Sequence, residues 1–109
     1  MSVHEGDIYW LHHEELDDQP RIAHPQVVVG VNGDTATVCA LTTNMRKVSM
    51  PGNVLLDMGE GGLSKRSIVE VSKTVAVPVS RLGEYVGALP ARRAEQIKAG
   101  IRFVEGTFR

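Results

Sequence analysis

A chain of 109 residues with 12 Lys and Arg against 13 Asp and Glu, net charge −1, suits one self-folding domain spanning 1–109, too small to enclose a deep substrate cavity without a second subunit. Its near-neutral balance excludes the broad basic field that grips a DNA duplex through phosphates, so any nucleic-acid contact has to be local. No apolar run reaches membrane-spanning length, MSVHEGD is no secretory leader, and the single cysteine, Cys39, lies in an apolar run without a disulfide partner, so a cytoplasmic protein with a packed thiol is predicted.

Gly6 opens a predicted strand over 7–11, on which alternation turns Tyr9 and Trp10 to opposite faces, so that at most one of them is buried. The polar run 12–21 has the period of neither helix nor strand and reads as a loop, long enough for a small domain to mark it as a lid or binding segment. Two β-branched runs follow, 27–31 and 35–41, and Asn32-Gly33 between them suits a two-residue type I′ turn with positive φ at both positions. A hairpin this tight brings His24-Pro25 at its entrance beside Thr42-Thr43 at its exit.

Residues 43–50 form a polar connector, and Pro51-Gly52 turns the chain into a strand over 53–57. Gly59, Gly61 and Gly62 make a bend. Residues 67–73 and 74–79 are β-rich and broken near Pro78, as one bent strand or two short ones. Many short strands favour a small barrel. Pro90 stands near the start of a helix whose Ala94, Ile97, Ile101 and Val104 form one apolar stripe. Gly100 inside that helix costs about 1 kcal/mol relative to Ala, which implies a close neighbour.

Several side chains have both a chemical and a structural reading. His24 is either a proton-exchanging imidazole, since histidine ordinarily titrates at about 6.5, or a ring packed on Pro25. Thr42 is a hydroxyl donor or an ordinary strand residue. Arg21 suits phosphate oxygens or answers Glu14, Glu15, Asp17 and Asp18. Trp10 fills the core or stacks on an unstacked base. Glu70 and Ser72 share a face by alternation, toward a cleft or solvent, and Arg46 and Lys47 either touch phosphates or are solvated. His12-His13-Glu14-Glu15 is no metal site, because neighbours in an extended segment point apart; neither metal nor cofactor is expected. GEGGLSKRS lacks the glycine before Lys65 and the hydroxyl after it that a nucleotide-binding loop requires, and reads as a turn.

Six blocks in order, GDIYW at 6–10, HPQVVV at 24–29, CALTTN at 39–44, PGNVLL at 51–56, LSKRSIVEVS at 63–72 and RLGEYVGAL at 81–89, make the chain resemble the PemK/MazF toxin family nearly end to end. The resemblance implies a mainly β fold with a C-terminal helix (α+β), a small SH3-like barrel. It also implies metal-independent, sequence-selective cleavage of single-stranded RNA by attack of the ribose 2′-hydroxyl, in a homodimer held in check by a cognate antitoxin. Thr42 matches the family's active-site threonine or serine, with Thr43 and Asn44 beside it and substrate contacts in the loop that begins at His12. Two departures stand out. His24 occupies a position usually held by arginine before proline, a charge that Arg21 could restore, and Glu70 and Ser72 lie where some members carry arginine and aspartate. The expected catalytic set is therefore His24, Thr42 and Arg21, and the expected substrate contacts are Trp10, His12, Thr43, Asn44, Lys47, Glu70 and Ser72. The alternative is a barrel that has lost cleavage and serves as a protein- or RNA-binding module.

Overall fold

The β-branched runs fold as extended chain. In the computed structural model, which describes residues 2–11 and 24–107, the elements are β1 (Asp7–Leu11), β2 (Pro25–Asn32), β3 (Thr35–Thr42), β4 (Val54–Leu56), β5 (Ser67–Pro78), β6 (Leu82–Ala88) and α1 (Ala91–Thr107). The strands make one antiparallel sheet in the order β4-β5-β3-β2-β1-β6. The expected loop over 12–21 lies outside the described residues.

Mainly β with a C-terminal helix is the fold that forms, but strand pairing does not close the expected barrel. β4 and β6 remain the two edges of the sheet. A 3₁₀ turn, Glu60–Gly62, packs against β6 instead. The approach is so close that a Cβ on Gly62 would overlap the Val86 carbonyl oxygen and one on Gly87 the Gly61 carbonyl oxygen. β6 itself was given no element by the sequence reading. It pairs with β1, and its Tyr85 ring meets Tyr9 edge-on at 5.4 Å between centroids.

The β2–β3 turn is displaced by one residue from expectation. Asn32 pairs with Thr35 inside the ladder, so the loop is Gly33-Asp34, and only Gly33 takes positive φ (61°). Those are the φ signs of a type II′ turn, which needs glycine at its first central position alone. A bulge between Val28 and Gly30 then shifts the register again.

β5 is one strand with a larger irregularity. Cys39 faces Thr74 and Ala40 faces Glu70, so Val71, Ser72 and Lys73 have no counterparts on β3. The bulge breaks the alternation on which Glu70 and Ser72 were expected to share a face: Glu70 is buried and Ser72 exposed. Pro78 ends the strand instead of splitting it.

Both faces of the sheet carry apolar residues. Ile8, Val27, Cys39, Leu41, Leu56 and Val69 pack with Ile97 of α1, while Tyr9, Val28, Ala36, Val38 and Val77 form a smaller cluster on the other side. Full burial of an aliphatic side chain such as Ile97 contributes about 1.5–3 kcal/mol, which outweighs the weak helix propensity of its neighbour Gly100. The predicted stripe is the one that docks, with Ala94 and Ile97 buried and Ile101 and Val104 partly so. Gly100 does have its close neighbour, the backbone of Gly52.

Replacing Gly100 by alanine sets helix propensity against that contact. Propensity alone would favour Ala by about 1 kcal/mol, whereas overlap with a backbone carbonyl costs about 1–3 kcal/mol and cannot be relieved by a rotamer. Gly100→Ala is expected to lower Tm by several degrees on thermal melting, and Gly106→Ala, whose added methyl meets nothing within 4 Å, to raise it slightly. A Gly100→Ala protein as stable as the parent would remove the argument for close helix packing.

Candidate active site

The mouth of the β2–β3 hairpin is built by register. Gln26 pairs with Ala40 in the outermost rung of the β2–β3 ladder, and the same register continued two residues outward leads from His24 to Thr42, both of which line one pocket. On the other side of β2, Trp10 of β1 pairs with Pro25, while Thr42 itself pairs with Ile68 of β5. Three adjacent strands and the segment leading into β5 thus surround one open pocket of about 400 Å3. Its polar wall comes from Trp10, His24, Thr42, Thr43, Ser64 and Lys65, and its apolar wall from Pro25, Leu41, Leu63 and Val86. Alternation resolves the aromatic pair of β1: Tyr9 is 2% exposed, and Trp10, at 38%, is presented to this pocket.

Thr42 is buried apart from the pocket side, and its Oγ1 accepts a 3.2 Å hydrogen bond from the Asn44 backbone N–H. That bond occupies the oxygen as acceptor and leaves the hydroxyl hydrogen available to an incoming acceptor. Asn44 is occupied locally, since its Oδ1 caps the 3₁₀ turn Met45–Ser49 by accepting from the Arg46 N–H at 3.1 Å. Of the remaining expected contacts, Lys47 sits on that turn outside the pocket, where its carbonyl accepts from Asn53 Nδ2 at 2.9 Å. Glu70 and Ser72 are at the β5 bulge, also outside it, and the Glu70 carboxylate faces Lys73 Nζ at 3.3 Å. His12 and Arg21 lie outside the described residues.

Sequence reasoning missed Ser64, Lys65 and Ser67, all of which line the pocket. Their segment was dismissed as a failed nucleotide loop, and the signal available was a run of hydroxyl and basic residues directly before a strand. No carboxylate lines the pocket among the described residues, so its ionisable groups there are His24 and Lys65 alone. Cys39, in contrast, is sealed beneath the sheet. Burial first and the nearby Glu70 charge second push its thiol up to about 12, and its S–H donates to the Glu70 carbonyl at 2.9 Å, so it is no nucleophile at neutral pH.

The pocket wall is braced from α1. Arg93 donates from Nε and Nη2 to the two Glu60 oxygens, each at 2.9 Å, and Glu60 Oε2 also accepts from the Asp57 N–H at 2.7 Å. The Arg93 hydrogen bonds hold the Glu60 carboxyl below the ordinary range against the opposing effect of burial, and Glu60 in turn raises Arg93. A carboxylate depressed on folding adds stability that is fully present above its unfolded value of about 4.3 and is lost as pH falls through its folded value. Both groups are four-fifths or more sheltered, so the pair is expected to contribute about 1–2 kcal/mol. Thermal melts of Glu60→Gln should therefore lie several degrees below the parent at pH 7 and converge with it under acid conditions. Parallel curves at every pH would mean that the brace is dispensable.

A helix-backed antiparallel sheet whose open pocket offers an imidazole, hydroxyls and an ammonium without an opposing carboxylate defines a small domain suited to an anionic ligand such as a phosphodiester. Residues 4–104 match the model of a family described as PemK-like, MazF-like toxin of type II toxin-antitoxin system, and the chain belongs to that family. It is 30% identical over 111 residues to Endoribonuclease MazF6 of Mycobacterium tuberculosis and to Endoribonuclease MazF2 of Mycobacterium bovis, covering 95% of this chain and 97% of each relative. Its fold is similar to that of an endoribonuclease in complex with its cognate antitoxin from Mycobacterial species (TM-score 0.74, 19% identity, 96% of both chains). It is also similar to Mycobacterium tuberculosis toxin MazF-mt6 (TM-score 0.71, 23% identity, 92% of this chain and 96% of the other). Among the described residues no helix is long and apolar enough to cross a membrane.

Proposed function

We propose that the protein is an RNA-cleaving toxin whose cleavage centre is the pocket at the β2–β3 hairpin mouth, acting on single-stranded RNA without a metal ion. The observation that carries this reading is that His24 and Thr42 line one open pocket in which no carboxylate stands among the described residues. The ribose 2′-oxygen attacks its own phosphorus, the bond from phosphorus to the 5′-oxygen breaks, and the products are a 2′,3′-cyclic phosphate and a 5′-hydroxyl. His24 exchanges the proton, taking it from the 2′-hydroxyl or giving it to the departing 5′-oxygen. Thr42 donates its hydroxyl hydrogen to a non-bridging oxygen as phosphorus becomes five-coordinate. Trp10 offers a stacking surface to a base, and Thr43 lies within reach of the substrate.

Arg21 and His12 complete the reading as phosphate contacts from the connecting segment. Lys47, Glu70 and Ser72 lie outside the pocket and receive no part in its chemistry. Partners follow the relatives: a second copy of the chain to widen the groove, and a cognate antitoxin to block it. A cytoplasmic site of action fits the packed, unpaired thiol of Cys39. The alternative of a non-catalytic binding module is not favoured, since the curated relatives are endoribonucleases.

Purified protein incubated with long unstructured RNA in EDTA is expected to release fragments with 5′-hydroxyl ends. His24→Ala should lower kcat by about 10²–10⁴-fold and remove one limb of the pH–rate profile, and Thr42→Ala by about 10²–10³-fold, with circular dichroism unchanged. No fragments from RNAs of varied sequence, or a His24→Ala protein as active as the parent, would sink the reading.

A further inference from the structure

We propose that Lys65 is the phosphate anchor of this pocket, holding the scissile phosphate with the permanent charge that His24 does not guarantee. The inference rests on the RNA-cleavage reading above and adds a substrate-binding residue to it. Among the described residues lining the pocket, Lys65 is the only side chain of fixed charge, and nothing acidic lies there to neutralise it. Three other cations are drawn into ion pairs, Lys73 with Glu70, Lys98 with Glu5 and Glu95, and Arg93 with Glu60, whereas Lys47 and Arg66 resemble Lys65 in having none among the described residues but do not line the pocket. Lys65 has no such partner among the described residues, so binding a phosphate there does not first require breaking a protein contact.

The backbone beneath Lys65 is fixed on both sides. Ahead of it, the Gly59 N–H donates to the Leu63 carbonyl at 2.8 Å and the Leu63 N–H to the Glu60 carbonyl at 3.0 Å, with the Leu63 side chain buried. Behind it, the buried Ser67 hydroxyl donates to the Lys65 carbonyl at 3.1 Å. Only the exposed side chain remains to be ordered when RNA binds, which keeps the entropic cost small. A compact ammonium on a flexible stem acts as a point charge and follows the phosphate as it becomes five-coordinate. The labour is divided accordingly: Lys65 holds charge, His24 moves a proton and Thr42 donates a hydrogen bond.

The test uses full-length protein and an RNA oligonucleotide spanning an observed cleavage site, made uncleavable by a 2′-deoxy substitution at the attacked ribose. Affinity is measured against salt concentration for the parent, Lys65→Met, Lys65→Arg and His24→Ala. Loss of one phosphate contact to a single strand reduces the slope of log K against log salt by about 0.7. Lys65→Met should show that reduction with about tenfold weaker binding and unchanged Tm, Lys65→Arg should restore the slope, and His24→Ala should keep it. On cleavable RNA, Lys65→Met should also lower kcat/KM by about 10–100-fold. An unchanged slope in a Lys65→Met protein that still cuts would overturn the anchor while leaving His24 and Thr42 in place. A parent protein that cuts no RNA overturns the anchor and the cleavage reading together.

Discussion

The six strands of this sheet pair in an open row with β4 and β6 at its ends, and the 3₁₀ turn Glu60–Gly62 packs directly against the backbone of β6. Gly62 lies against the Val86 carbonyl and Gly61 against Gly87, at a separation that excludes a Cβ on Gly62 or Gly87. Much else depends on this approach. It fixes the path of the segment that follows, so Gly62, Leu63, Ser64 and Lys65 line the same pocket as His24 and Thr42. The Arg93–Glu60 pair clamps the same turn to α1, and a helix far from the chemistry in sequence thereby sets the position of the wall.

The hairpin was legible in the sequence because its contacts are local, but its register was not, because it depends on a turn and a bulge that the sequence did not display. A type I′ turn at Asn32-Gly33 would have set His24 opposite Leu41. The one-residue displacement of the turn moves the ladder one way, and the bulge between Val28 and Gly30 moves it part of the way back, leaving Gln26 opposite Ala40 in a register whose outward continuation runs from His24 to Thr42. A single-residue slip exchanges the faces of a strand, so without the bulge the same continuation would run from His24 to Thr43. The α1 stripe was legible for the simpler reason that its period is undisturbed from Ala94 to Val104.

What could not be read were the features made by distant pairings. β5 meets β3 across a gap in sequence filled by β4 and two 3₁₀ turns, and three residues of β5 leave the ladder where Glu70 gives way to Thr74. Period-two reasoning assumes an unbroken pleat, and it therefore assigned Glu70 and Ser72 a common face that does not exist. β6 escaped notice because Gly83 and Gly87 dilute its apolar pattern, although the second of them permits the close approach of Gly61. Lys65 was overlooked on similar grounds. Tested against a nucleotide-binding pattern, its segment failed, but the ammonium owes its place to the glycine contact and to the Ser67 bond, neither of which leaves a local motif.

The histidine at position 24, where the resemblance leads one to expect arginine before proline, has a physical meaning under the proposed reading. A guanidinium on β2 would combine permanent charge and bidentate geometry in one side chain but would exchange no proton near neutral pH. An imidazole reverses the terms, being able to move a proton while its charge depends on pH. A pocket with histidine at that position gains a proton carrier and needs its fixed charge from elsewhere, and the wall opposite supplies a lysine with no carboxylate beside it among the described residues. Since Lys65 stands where it does only while Gly61, Gly62 and Gly87 remain in contact, the electrostatics of the site and the packing of the turn on β6 are one constraint: a side chain on either face of that contact would displace the charge along with the wall.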